Sequence, residues 1–416
     1  MYYGIAGRQY ALAVSPLKTG GEGSIYTING DSSLLAKVYH PNILDQELEE
    51  KLKTMYQNPP AREVLSQIAW PVDILYDGQK RFCGFLMRKL NVTHELKEIY
   101  EYPPVALKNV TLQHKLIIAQ NICYVISAVH RAGYIFGDFN PMNIGVNIND
   151  GTVAFFDADT YHFKDNCSGH THRCKAGCPG YVAPELIATC RKYSISHPGA
   201  KDAYAHAPLP TFTLETDNFA LSIHIFKLLM NGYTPYNGIP ETSSVSLASP
   251  GQGDVAVERN NYCFAPGKKP MSSAMPEMSS LPSDVQALFA RSFETGYGTP
   301  SARPSADEWR NALSNFEQSL RQCSQDRTHL FYKGCSSCPY CAADARYKHE
   351  MQLASTPSLT QKKFTNAPIV QAPVAPPKST SIQTPTTTYV PQRTAAVGTA
   401  TQSSANRYTM TSKTKV

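Results

Sequence analysis

The sequence predicts an α+β protein in which a small, mostly antiparallel sheet with one helix is followed by a larger, mainly helical part. Over residues 1–90, short β-branched and aromatic runs alternate with glycine-containing turns. From residue 111 onward, apolar residues recur at helical spacing instead. Beyond Gln352 the composition shifts to Thr, Ser, Pro, Gln and Ala with few large apolar side chains, so residues 351–416 are expected to be a disordered tail.

Strands are expected over 10–16, over 25–28 beyond a glycine-rich turn, and over 34–39. A helix over 45–56 follows, then strands over 71–76 and 81–87 around the turn signal Asp77-Gly78. Helical periodicity runs over 111–131, where Leu112, Leu116, Ala119, Ile122, Ile126 and Val129 share a face. It resumes over 217–230, 284–293 and 305–320, the last opening on Ser305 three residues before Glu308, a capping-box pattern.

With 416 residues, 42% of them hydrophobic and 17% charged, the chain can bury an ample core. No stretch approaches the roughly 18 apolar residues of a membrane span, and no secretory leader is evident, so a cytoplasmic protein without a membrane partner is expected. Eleven clustered cysteines suggest metal ligands and core thiols in a reducing compartment. The net charge of +6 belongs to the tail, where Lys362, Lys363, Lys378, Arg393, Arg407, Lys413 and Lys415 face no acidic residue. The rest is near neutral, which argues against a nucleic-acid partner.

The turn TGGEGSIY places Gly20, Gly21 and Gly23 between two strand candidates, where backbone amides can approach phosphates unobstructed. Lys37, in LLAKVY, comes on the next strand and can reach the same phosphates. Alone, each is a common feature. The segments YIFGDFNPMNIGV, FFDADTYHF and GCPGYVAPEL then set Asp138, Asn143 and Asp157 in one series. A carboxylate that orients or deprotonates a hydroxyl, with oxygen ligands for Mg²⁺, is the set of groups that phosphoryl transfer needs.

This order of motifs resembles the protein kinase family over about residues 10–320, which implies a bilobal protein-kinase-like fold with an N-lobe over 1–90 and a C-lobe over 91–320. On that resemblance Gly20 and Gly23 match the second and third glycines of the nucleotide loop, Ile25 matches the valine after it, and Lys18 stands where the first glycine would be. Lys37 matches the lysine that pairs with the nucleotide phosphates, and its helix partner would be Glu50, with Glu49 and Glu47 as neighbours. Met87 matches the gatekeeper, with Arg88, Lys89 and Leu90 as the hinge. Asp138 matches the catalytic aspartate, Asn143 and Asp157 the Mg²⁺ ligands, and Ala183-Pro184-Glu185 the end of the activation segment. Asp217 resembles the buried brace of the catalytic loop, and Arg303 the partner of Glu185.

The departures are specific. Phe136-Gly137-Asp138 lacks the arginine that binds an activation-loop phosphate, and Asn140 replaces the lysine that neutralises the γ-phosphate, removing a cation from the transition state. Asp157-Ala158-Asp159 exchanges an aromatic for a second carboxylate, so Asp159 is expected to ligate Mg²⁺ directly or through water. Both variants resemble bacterial eukaryotic-like protein kinases of the YegI-like group, described as serine/threonine kinases.

Past the kinase-like region, Cys323, His329, Cys335, Cys338 and Cys341 gather in a short stretch. Tetrahedral Zn²⁺ takes four such ligands, and a module over 321–350 is expected to use Cys323, His329, Cys338 and Cys341, with Cys335 in reserve. It also resembles the C-terminal module found after the kinase domain in this group. A second cluster, Cys167, His170, His172, Cys174 and Cys178, lies in the activation segment, where zinc would pin the segment open.

The resemblance implies an ATP- and Mg²⁺- (or Mn²⁺-) dependent protein serine/threonine kinase with a protein substrate. It also implies a metal-dependent protein phosphatase and a von Willebrand factor A protein as partners. Two alternatives stay open: a pseudokinase scaffold, motivated by Asn140 and the missing first glycine, and a small-molecule phosphotransferase, which would ordinarily lack the Ala-Pro-Glu segment.

Overall fold

Strand-forming residues at the start of the chain build one seven-stranded antiparallel sheet: β1 (Tyr2–Tyr3), β2 (Gln9–Tyr10), β3 (Lys18–Thr19), β4 (Gly23–Ile28), β5 (Asp31–Tyr39), β6 (Asp73–Tyr76) and β7 (Phe82–Arg88). Their order is β2-β1-β6-β7-β5-β4-β3. The computed structural model describes residues 1–355 except 103, 105–106 and 244–250, and the tail beyond 355 lies outside the described residues.

Alternation along β5 sorts its side chains between the two faces of the sheet. Leu34, Ala36 and Val38 join a small cluster with Tyr10, Ile28, Leu75 and Leu86. Leu35 and Tyr39 pack on the main core, and Lys37 between them shares their face. The predicted strand over 10–16 reduces to β2 and a single bridge from Leu12 to Ile28. Pro16 has no N–H to pair, and residues 14–17 are exposed.

The helix Gln46–Gln57, capped by Asp45 accepting from Leu48 N–H, lies beside the sheet. The helix Leu112–Arg131 starts at a Thr111–His114 capping box and packs against Ala306–Gln318 and Leu214–Leu229. The last of these is buried on nearly every face, as suits a helix at the centre of a core. It begins three residues before its predicted start because Thr213 caps it. The predicted helix over 284–293 is α-helical through Ser283–Ala290 and continues as a π-turn, Arg291–Thr295. No helix among the described residues is long and apolar enough to cross a membrane.

Glu185 opens the helix Pro184–Ser196 and meets Arg303 in a two-pronged pair, Nη1 to Oε1 at 2.7 Å and Nη2 to Oε2 at 2.8 Å. Arg303 also donates to Gly296 O and Glu215 O and lies over the Phe219 ring, so one side chain ties four segments. A hairpin, Leu320–Gln322 with Leu330–Tyr332, and the helix Pro339–Ser355 complete the described chain.

Because the Arg303 side chain is wholly buried and Glu185 partly exposed, Arg303→Ala is expected to cost about 3 kcal/mol in urea unfolding, and Arg303→Lys to recover part of it.

Candidate active site

Two hairpins and one loop bring the predicted residues together. Strands Ile144–Val146 and Val153–Phe155 pair with Ile144 opposite Phe155, and Phe156 N–H donates to Asn143 O, so Asn143 and Asp157 emerge side by side. Asp157 itself is held left-handed at φ 51, a strained conformation for a residue with a side chain. The Asn143 amide donates to Asp138 Oδ2 at 3.1 Å.

Asp217, fully buried, accepts from Phe136 N–H at 2.7 Å and from Gly137 N–H at 2.9 Å, with His130 Nε2 at 2.9 Å. These bonds fix the chain just before Asp138, and Gly137 is needed there at φ 78, with Cys174 against its α-carbon. Asn140 serves the backbone, since its side-chain oxygen accepts from Met142 N–H at 3.0 Å and caps the turn Pro141–Asn143. A lysine at this position has no acceptor with which to make that cap.

Lys37 Nζ lies 2.7 Å from Asp159 Oδ2, 3.3 Å from Asp157 Oδ1 and 3.5 Å from Glu22 Oε2. The expected pair with a glutamate of the neighbouring helix is not among the described contacts. Glu50 is exposed and bonds Gln46, Glu49 bonds Tyr76 and Lys53, and Glu47 bonds Lys175. The reason is the helix face: Leu52 and Met55 face the core, which turns Lys51 inward and Glu50 out. Lys51 Nζ donates to Arg173 O at 3.2 Å, and burial lowers the pKa of its ammonium to about 8.

Asp159 is therefore the anchor of Lys37. The same oxygen, Oδ2, accepts from the Tyr39 hydroxyl at 2.6 Å, and the side chain is buried. Burial pushes its carboxyl up, but Lys37 outweighs it and holds the group below the ordinary carboxylate value. Burial would depress Lys37, but Asp159 and Asp157 hold it above the ordinary lysine value. Burial raises Asp138, against the pull of Asn143, which suits a proton acceptor. Tyr39 was not singled out in the sequence, although its place two residues after Lys37 on one strand face was legible there.

Asn143 and Asp157 offer hard oxygen donors beside Asp138, a set that fits Mg²⁺. Asp159 Oδ1, buried and without a hydrogen-bond partner among the described residues, leaves one oxygen compatible with its expected role as a ligand. In the glycine loop, Gly20 N–H donates to Gly23 O at 2.8 Å and the His40 ring reaches Gly20 O at 3.0 Å. Gly23 abuts the backbone of Val38, so a side chain there would collide with β5, while Gly21 faces open space. Ile25 lies opposite Lys37, and Met87 is buried opposite Leu35.

Among the described residues, Cys323, His329, Cys338 and Cys341 form the group whose ligand atoms all lie within 4.8 Å of one another. Cys323 Sγ is 3.6 Å from Cys341 Sγ, close to the edge of about 3.8 Å in a tetrahedron with metal–sulfur bonds near 2.3 Å. Cys335 turns away to Ser280 O. The activation-segment cluster is not gathered in this way: Cys167 is exposed, and Cys174 is buried with its thiol on Ala176 O. The rings of His170 and His172 meet edge to face instead.

Because the Asp159 carboxyl is held below its unfolded value, its contribution to stability is present above the ordinary carboxylate range and is lost as pH falls through the lowered value. Asp159→Asn should melt below wild type at neutral pH, and the difference should shrink on acidification in melts run from pH 7 to 3.

No protein-family model matches the chain. It is 31% identical over 385 residues to Protein kinase YegI of Escherichia coli O157:H7 and 30% identical to Protein kinase YegI of Escherichia coli strain K12, in each case covering 87% of this chain and 54% of the relative. The chain thus spans about half the length of these curated relatives. A rhoptry kinase from Toxoplasma gondii is a similar solved structure at TM-score 0.44 and 12% identity, over 76% of this chain and 84% of that one. By sequence, the chain is thus similar over most of its length to curated protein kinases named YegI.

Proposed function

We propose that the chain is an ATP-dependent protein serine/threonine kinase that uses Mg²⁺ or Mn²⁺, with residues 1–90 and 91–320 as its two lobes. The observation that carries this reading is the grouping of Lys37 with Asp157 at 3.3 Å and of Asn143 with Asp138 at 3.1 Å, the two pairs joined where Phe156 N–H donates to Asn143 O. Asp138 orients the acceptor hydroxyl and takes its proton as the oxygen attacks the γ-phosphorus and the bond to ADP breaks. Lys37 positions the phosphates, and Asn143 with Asp157 would hold the divalent ion, which supplies charge neutralisation on the phosphates. Glu22 Oε2 lies 3.5 Å from Lys37 Nζ, so a nucleotide phosphate would compete with it for the ammonium.

The helix Pro184–Ser196, braced by Glu185 and Arg303, supports a docking platform for an extended protein segment. Neither a phosphatase nor a von Willebrand factor A partner is supported by a described surface. Asn140 in place of a cation, and Glu22 against Lys37, favour a second reading, a scaffold that binds nucleotide or partners.

Transfer from labelled ATP to a basic acceptor protein, followed by phosphoamino-acid analysis, decides between them. Phosphoserine or phosphothreonine that falls at least about a thousandfold in Asp138→Ala and Asp157→Ala is expected. Nucleotide binding without transfer by the wild type would select the scaffold.

The Cys323–His329–Cys338–Cys341 cluster is proposed as a structural zinc site over residues 321–350. One zinc per chain by elemental analysis, lost when Cys338 and Cys341 are both changed to Ser, is the expected outcome.

A further inference from the structure

One carboxylate, Asp344, links His329 of the Cys/His cluster to Tyr102. His329 turns Nδ1 towards Cys338 Sγ at 3.7 Å and Cys341 Sγ at 3.4 Å, so a metal held by the four ligands takes that nitrogen. Its other nitrogen, Nε2, lies 3.3 Å from Asp344 Oδ2 and 4.0 Å from Asp326 Oδ2. Asp344 is one turn beyond Cys341 on the helix Pro339–Ser355, which aims it back at the cluster. Its second oxygen, Oδ1, accepts a hydrogen bond from the hydroxyl of Tyr102. The Tyr102 ring is itself held edge-on by Tyr347, with centroids 5.5 Å apart. Two residues earlier, Tyr100 is buried with its hydroxyl on His224 of the central helix.

We propose that Asp344 is the positioning residue of the metal centre. One of its oxygens orients His329 for the metal, and the other is fastened by Tyr102, so that metal binding and docking of the C-terminal helix are coupled. A carboxylate on the outer nitrogen of a ligating histidine fixes the tautomer that leaves the inner nitrogen free and raises its basicity. A bound cation draws electron density from the ring and strengthens the outer N–H as a donor, so the contact with Asp344 tightens on binding. Tyr102 keeps the carboxylate in place beforehand, which lowers the entropy lost when the site closes. The inference rests on reading the cluster as a zinc site.

Other contacts of the same helix lie away from the ligands and serve as controls. Glu350 accepts from Ser272 and Ser273, and Arg346 donates to Ser273 O. These dock the helix without touching His329, so they separate a general loss of docking from a specific loss of ligand orientation.

The test uses the full chain, with zinc affinity measured by competition against a chromophoric chelator and the site geometry followed by the absorption of bound Co²⁺. Asp344→Asn is expected to weaken zinc about 10- to 100-fold, and Tyr102→Phe to weaken it less, in the same direction. Glu350→Gln should leave affinity unchanged. Zinc should also protect the 323–355 segment from proteolysis in the wild type, and less so in Tyr102→Phe, whose thiolate–Co²⁺ bands persist. Wild-type affinity in both Asp344→Asn and Tyr102→Phe would overturn the proposal, as would an equal loss in Glu350→Gln. A wild-type chain that takes up no zinc would overturn the reading of the cluster itself.

Discussion

A buried ammonium and a buried carboxylate, Lys37 and Asp159, meet at 2.7 Å where the sheet faces the helical part. Neither charge is tolerable there alone, since desolvating an unpaired ion costs several kcal/mol. Each therefore requires the other, and Tyr39 adds a hydroxyl to the same oxygen. The pair joins β5 to the loop after Phe155, and so sets where Asp157 lies relative to Lys37. In this protein the loop itself supplies the counter-charge that a neighbouring helix was expected to bring. The helix acts elsewhere, because Lys51 holds the backbone of Arg173.

That exchange bears on how the site is kept in order. The loop before Asp138 is braced by Asp217 through two backbone amides, and Asn140 caps the turn just after it. The segment near residue 173 is tethered by Lys51 and, two residues on, by the Lys175–Glu47 pair. Together these contacts hold the segment through side chains already present, in a chain that has Phe136-Gly137 and no arginine directly before Asp138. The C-terminal Cys/His segment adds polar links, Asp344 to Tyr102 and Glu350 to Ser273, to the apolar packing of Leu320, Leu330, Tyr332 and Tyr340 on the main core.

Much of this was legible in the residue pattern. The strands at 34–39 and 81–87, the long helix from residue 112 and the Ser305 cap fall where periodicity and capping put them, because each depends on neighbours close in sequence. The grouping of Cys323, His329, Cys338 and Cys341 was legible for the same reason, since their spacing in the sequence is short. The expected pairing of Lys37 with Glu50 was not met, because which of several adjacent glutamates faces inward is decided by the packing of Leu52 and Met55.

By itself, then, the sequence determined the α+β class and the order of the motifs that contain Lys37, Asp138, Asn143, Asp157 and the Cys/His group. Tertiary structure alone decided the partners of others: Asp159 with Lys37, and Asp344 with Tyr102. The first kind of information is local, carried by the spacing and type of residues a few positions apart. The second depends on contacts between residues 122 or 242 positions apart, whose burial and geometry exist only once the chain has closed on itself.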